Sequence, residues 1–223
     1  MTVESVPGPR PDAVADDLRA AILGGEFGPG STLTESGVSL RFAIARPTAR
    51  IAIDKLVAEG VLRREAHHAA RVPELNRADI ADLFDTRAII EGAALASLAS
   101  GGTIPADALA AHRDLRGRVA GDEPYATADI AFHRALVTGQ PSARLARMHG
   151  LLMGEIELGI AQVDAHRLRS AAEVVRDHQG ILDAVTAGDA DRAERLTREH
   201  ITASRDRLLA HYDRTRGASG KDS

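Results

Sequence analysis

The stretch LTESGVSLRFAIARPTARIAIDKLVAEGVL, from Leu33 to Leu62, decides how this chain is read. It parses into two short helices and a turn, followed by a strand. Thr34 suits an N-cap, with Glu35 in the first turn behind it. The second helix is expected to start at Ala45 or Arg46. Pro47 fits only in a first turn, where its missing N–H leaves no bond unmade. Ala49, Ala52, Ile53, Leu56 and Val57 then recur at i, i+3, i+4, i+7 and i+8, one apolar stripe. Arg46, Arg50 and Asp54 fall off that stripe on an open face. Both arginines therefore sit near a helix N-terminus, the end that a helix-turn-helix turns toward base edges and phosphates.

Working outward, the 223 residues suffice for one large domain or two small ones. Hydrophobic residues make up 44% and aromatics only 3%, with no tryptophan. That composition favours helices over a large β-sandwich. The absence of cysteine excludes disulfides, thiolate metal sites and cysteine nucleophiles. No apolar run is long enough to span a membrane and no signal-peptide pattern opens the chain, so a soluble, cytoplasmic protein is expected. The net charge of −4 argues against a nucleic-acid partner until its distribution is considered. Between Ser36 and Arg71 the bases are Arg41, Arg46, Arg50, Lys55, Arg63, Arg64 and Arg71, against only Asp54, Glu59 and Glu65. A locally basic module sits in an acidic protein.

Residues 1–11 hold prolines and a glycine and read as a flexible arm. A helix follows over 12–23, with Val14, Leu18, Ala21 and Ile22 on one face, ended by Gly24-Gly25. Gly28-Pro29-Gly30 is a turn. Residues 61–64 and 70–73 are short enough for the two strands of a wing. Residues 12–74 thus form a DNA-binding unit, with 75–77 as a linker. The rest, 78–215, reads as helices over 78–100, 105–120, 124–138, 141–166, 170–187 and 189–214, broken at glycines and Pro141. The expected class is mainly α, a winged helix-turn-helix followed by an all-α antiparallel bundle. Residues 216–223 read as a disordered tail.

The bundle places polar residues where its core should be. Asp129, Phe132, His133, Leu136 and Val137 form one stripe. His178 sits in the stripe Ala171, Val174, Val175, Leu182, Val185, and His200 in the stripe Ala193, Leu196, Ala203. Groups buried in this way need partners. One solution is a shared divalent cation; neutral imidazoles and a carboxylate suit zinc, nickel or manganese. The other is a hydrogen-bonded core without metal. Arg87 and Glu91 fall in the apolar line of the first bundle helix, either as a structural ion pair or with Arg87 clamping a ligand carboxylate. Arg134 is a further candidate for that ligand.

Two sets of residues resemble one known family. Leu33-Thr34-Glu35, Arg46-Pro47-Thr48-Ala49-Arg50 and Leu56-Val57-Ala58-Glu59-Gly60-Val61-Leu62 resemble the winged helix-turn-helix of GntR-type bacterial repressors. Asp79-Ile80, Arg87, Glu91, Asp129-x-x-Phe132-His133, His178 and His200 resemble the FCD effector domain of the FadR subfamily, with six helices as in its VanR-like variant. The chain departs from the pattern in its inverted Pro47-Thr48, in Ile51 for an acidic residue, in Ser36 for an arginine, and in His67-His68-Ala69-Ala70 where the wing usually has a glycine.

The resemblance implies a homodimeric repressor that binds double-stranded operator DNA. Ser36, Arg46, Thr48 and Arg50, with His68 and Arg71 of the wing, would face the DNA. Asp129, His133, His178 and His200 would hold a divalent metal, zinc first. A small organic acid would bind there through Arg87, Glu91 and Arg134. The rival reading is a metal-dependent enzyme of the bundle with a degenerate DNA-binding head, though no general base stands out beside the metal set.

Overall fold

A computed structural model of the chain describes residues 10–121, 123–163, 165 and 169–219. Of the arm expected over 1–11, residues 1–9 lie outside the described residues and Pro11 already opens α1. Contacts divide the chain into two units, Met1–Glu74 and Leu75–Ser223.

The first unit holds α1 (Pro11–Leu23), β1 (Thr32–Leu33), α2 (Glu35–Phe42), α3 (Arg46–Ala58) and β2 (Ala70–Arg71). Thr34 caps α2 by accepting from Gly37 N at 3.1 Å. Ala43 ends it in the left-handed region at φ 50°, which turns the chain toward α3. Ala45 is the N-cap of α3, and Pro47 lies in its first turn. Ala49, Ala52, Ile53 and Leu56 are fully buried against α1 and α2. The wing differs from expectation. β2 pairs antiparallel with β1, with Thr32 opposite Arg71 and Leu33 opposite Ala70, while residues 61–64 supply only a bridge from Arg63 to Arg71. The cause is the turn at Gly30, whose φ is +78° and whose N–H donates to Val72 O. It lays residues 31–33 along the wing, and a two-residue strand shows no alternation to read.

The second unit is a bundle of α4 (Arg77–Gly101), α5 (Ala106–Ala120), α6 (Ala126–Thr138), α7 (Ala143–Gln162), α8 (Ala171–Thr186) and α9 (Ala190–Ser219). Residues 75–77, expected as a linker, are built into it. Leu75 is buried in its core, and Asn76 caps α4 in a capping box with Asp79. Of the tail expected over 216–223, residues up to Ser219 continue α9, and 220–223 lie outside the described residues. α4 packs along α9. Gly92 permits this approach, because a Cβ there would stand 3.0–3.2 Å from Arg198 and Glu194 side-chain atoms.

Two large apolar clusters, and a smaller one of Leu115, Tyr125, Ala128 and Val174, pack the described part of the bundle. One large cluster gathers Phe84, Ile130, Met153, Ile156, Ile201 and Leu208; the other gathers Leu95, Phe132, Leu136, Ile181, Leu182 and Val185. Buried histidines on α6, α7, α8 and α9 lie among these helices.

Candidate functional site

α6 brings Asp129 and His133 to one face, a single helical turn apart. α8 adds His178 and α9 adds His200. The four ligand atoms all lie within 4.8 Å of one another. Asp129 Oδ1 stands 3.1 Å from His178 Nε2, 3.8 Å from His133 Nε2 and 3.9 Å from His200 Nε2. His133 and His200 face each other through Nε2 at 3.3 Å. Ligands on a tetrahedral zinc stand ~3.4 Å apart for bonds of ~2.1 Å. Asp129 Oδ1 and His178 Nε2 are buried, and their 3.1 Å approach is too poorly aligned to be a hydrogen bond. Donor type, spacing and these orphaned atoms fit a divalent cation.

Electrostatics keep Asp129, His178 and His200 in the protonation state a cation needs. Burial pushes the Asp129 carboxyl up, but the neighbouring rings of His178, His133 and His200 outweigh it and hold the group far below the usual carboxylate range. Burial pushes His178 down to about 3, against the pull of Asp129. Burial also lowers His200, against the pull of Asp177. Phe132 stacks on the His178 ring, with centroids 3.9 Å apart and planes within 15°.

A second layer orients the rings. Glu91, fully buried, accepts from His133 Nδ1 at 2.6 Å, His149 Nε2 at 2.9 Å and Arg87 Nε at 2.8 Å. Burial would raise its pKa, but Arg87 and His133 hold it well below the ordinary value. An ionised Glu91 accepts only, so His133 carries its proton on Nδ1 and points the Nε2 lone pair inward. Glu91 is thus an orienting group, not a wall of the cavity.

Beside the cluster lies a cavity of about 60 Å³. Its apolar wall comes from Phe84, Ile160, Val174 and Leu208, and its polar side from Arg87, Asp129 and Arg169. Arg87 is 2% exposed, and its Nη2 is buried with no protein acceptor. Arg134 does not reach this cavity; its Nη2 lies 3.7 Å from Glu157 on α7.

In the first unit, Arg46 and Arg50 are exposed and Thr48 is half-buried at the start of α3. Ser36, Arg46, Arg64, His67 and His68 line one surface groove. Arg50 lies 3.9 Å from Glu35 and 3.7 Å from Asp54. Arg71 projects from the exposed side of β2.

Residues 82–203 match the family model of the FCD domain, and residues 11–72 match that of the bacterial regulatory proteins of the gntR family. The chain belongs to the GntR family of bacterial regulatory proteins and carries an FCD domain. The HTH-type transcriptional repressor GlaR of Escherichia coli (strain K12) is 31% identical over 90% of this chain and 94% of the relative. The HTH-type transcriptional regulator BphR of Paraburkholderia xenovorans (strain LB400) is 28% identical over 86% and 82%. A GntR regulator structure from Rhodococcus sp. RHA1 superposes with a TM-score of 0.72 at 26% identity, covering 90% of this chain and 97% of that one. The E. coli McbR/YncC structure, at 19% identity and a TM-score of 0.72 over 91% and 98%, shares the fold.

This GntR-family chain is therefore a DNA-binding transcriptional regulator with repressors among its relatives, and the enzyme alternative finds no counterpart among them. No helix among the described residues is long and apolar enough to cross a membrane. Three residues around the site escaped sequence reasoning. His149 recurs with Leu152, Met153 and Ile156 in a stripe of α7 that was available to read. Asp177 is masked by its neighbour His178, and Arg169 precedes α8 outside any periodic pattern.

Proposed function

We propose that this regulator is a repressor whose grip on its operator is set by a small carboxylate bound on a metal ion in the FCD domain. The observation that carries the reading is the convergence of Asp129 Oδ1 and the Nε2 atoms of His133, His178 and His200 beside a cavity that also holds the unpaired Arg87 Nη2. Zinc is the expected cation, since imidazole and carboxylate donors at this spacing suit it, with nickel or manganese as substitutes. The cation would draw a ligand carboxylate toward the cluster and Arg87 would pair with its second oxygen. The apolar wall would take a short hydrocarbon part.

On the DNA side, the exposed basic face supplies phosphate contacts. Arg46, Thr48 and Arg50 at the head of α3 would read base edges, and Ser36 of α2 with His68 and Arg71 of the wing would add contacts. A homodimer would present two such heads to a palindromic operator, in the cytoplasm. The effector acts through a difference in its affinity for the free and DNA-bound protein.

The test is a binding titration on the DNA upstream of the chain's own gene, at two salt concentrations, with and without chelator. Sequence-selective binding that weakens with salt and changes with chelator is expected. Selective binding indifferent to chelator in metal-loaded protein would remove the metal from the reading.

A further inference from the structure

His200 differs from the other two imidazoles of the cluster because its outer nitrogen has two opposed partners. Nδ1 lies 2.9 Å from Arg169 Nη1 and 3.2 Å from Asp177 Oδ2. Arginine only donates, and an ionised carboxylate only accepts. Asp177 Oδ2 also accepts from Arg169 Nη2 at 2.5 Å, as the ionised partner of that guanidinium. A neutral ring has one proton, so Nδ1 satisfies one partner at a time.

When Arg169 donates to Nδ1, the His200 proton sits on Nε2. That nitrogen faces His133 Nε2 at 3.3 Å, which is an acceptor because the His133 proton is on Nδ1 toward Glu91. Arg169, His200, His133 and Glu91 then form one directed chain of hydrogen bonds. A protonated Nε2 cannot ligate, so this chain shuts the cation site. When the proton is on Nδ1 toward Asp177, two Nε2 lone pairs face each other, an arrangement that a cation between them would relieve.

Arg169 also lines the cavity, and its Nε is buried with no protein acceptor. The cavity thus holds two guanidiniums, Arg87 and Arg169, each with an unsatisfied donor that a carboxylate would fill.

We propose that Arg169 couples the cavity to the cation site. Its guanidinium holds His200 in the tautomer that excludes the cation, and a carboxylate that draws Arg169 away releases His200 to Asp177 and to the metal. This rests on the metal and carboxylate reading above. Anion and cation then bind cooperatively, each raising the affinity for the other by the same factor.

Two measurements on the full chain test it. The His200 tautomer is read by ¹⁵N NMR of the imidazoles in cation-free protein. A bare Nδ1 is expected in the wild type and a protonated Nδ1 in Arg169→Met; a protonated Nδ1 in the wild type overturns the proposal. Zinc affinity is read by competition with a coloured chelator, with and without acetate as the anion probe. Arg169→Met should bind zinc about tenfold or more tighter than the wild type, and acetate should tighten only the wild type. Arg87→Met removes an equal charge beside the same cavity. An equal gain in both variants would mean charge alone, and no tightening of the wild type by acetate would mean no coupling; either overturns the proposal. Should Arg169→Met not fold, Arg169→Ala makes the same comparison. A wild type that binds no zinc in either condition sinks the metal reading and this proposal together; zinc binding with the wrong tautomer sinks this proposal alone.

Discussion

His133 Nδ1 lies 2.6 Å from Glu91 Oε2, and neither side chain has any exposed surface. The same carboxylate takes a donor from α7 and another from its own helix, so one ionised group in the bundle core orients a ring aimed at the cation site and neutralises an arginine of the cavity. Glu91→Gln leaves one acceptor oxygen for three donors and strands Arg87 without a counter-charge. Breaking a buried pair in this way costs about 3–5 kcal/mol. Urea denaturation of the cation-free protein should show a loss of that order. Zinc affinity should fall about 10- to 100-fold, as expected when the group orienting a ligand histidine is lost. Unchanged zinc affinity would show that His133 keeps its orientation without Glu91.

Acid should destabilise the cation-free protein earlier than its carboxylates alone would. The unfolded His178 ring takes a proton near 6.5, but burial moves the folded ring to about 3. Between those values the unfolded chain binds more protons, so stability is complete above about 6.5 and drains away as the pH falls toward 3. His200 is lowered for the same reason and adds the same sign. Asp129, held far below 3.8, adds a further loss only below that value. Each such histidine costs ~1.4 kcal/mol per pH unit inside its window. Urea midpoints at a series of pH values from 8 to 5 should be flat at first and then fall. A midpoint that rises from pH 7 to 5 would mean that the buried rings are charged in the folded state.

The head should be open to stabilisation at Ala43. This residue closes α2 at φ 50° with its side chain exposed. A left-handed L-residue costs roughly 1–2 kcal/mol that glycine does not incur, partly offset by the greater freedom of glycine when unfolded. Ala43→Gly is expected to gain about 0.5–1 kcal/mol, read as a raised thermal midpoint of the first unit. His67 occupies the same region at φ 63° and should respond likewise, with the added loss of a ring that lines the groove. A destabilised Ala43→Gly protein would place the strain elsewhere.

Helix positions and the polar stripe were legible in the sequence because both follow from the 3.6-residue period. Asp129 and His133 share a face by spacing alone, and His178 and His200 interrupt otherwise apolar stripes. Glu91 was legible as an inward charge beside Arg87, but its two histidine partners on α6 and α7 were not, since pairing between helices leaves no trace in one sequence. Arg169 precedes α8, where periodicity gives no direction for a side chain. β1 escaped because two residues cannot show a period, and its pairing with β2 depends on a turn at Gly30. Arg134 follows His133 directly, and neighbours in a helix point about 100° apart, so its guanidinium lies toward Glu157 on α7 and not in the cavity.

The two arginines at the head of α3 should not be equivalent on DNA. Arg46 lines the groove beside Ser36 and His68, whereas Arg50 lies within 3.9 Å of Glu35 and Asp54 carboxylates that partly neutralise it. A guanidinium must give up such neighbours to reach a phosphate or base, which reduces its net contribution. Arg46→Ala should therefore weaken operator binding more than Arg50→Ala, by about 1–3 kcal/mol if it reads a base. Loss of a base contact relaxes selectivity at one operator position, while loss of a phosphate contact weakens all sequences alike and lowers the salt slope by about one. Electrophoretic mobility shifts on the selected operator and on single-position variants, at two salt concentrations, separate these cases. An Arg50→Ala defect larger than that of Arg46→Ala would show that Glu35 and Asp54 orient Arg50 for contact instead of competing for it.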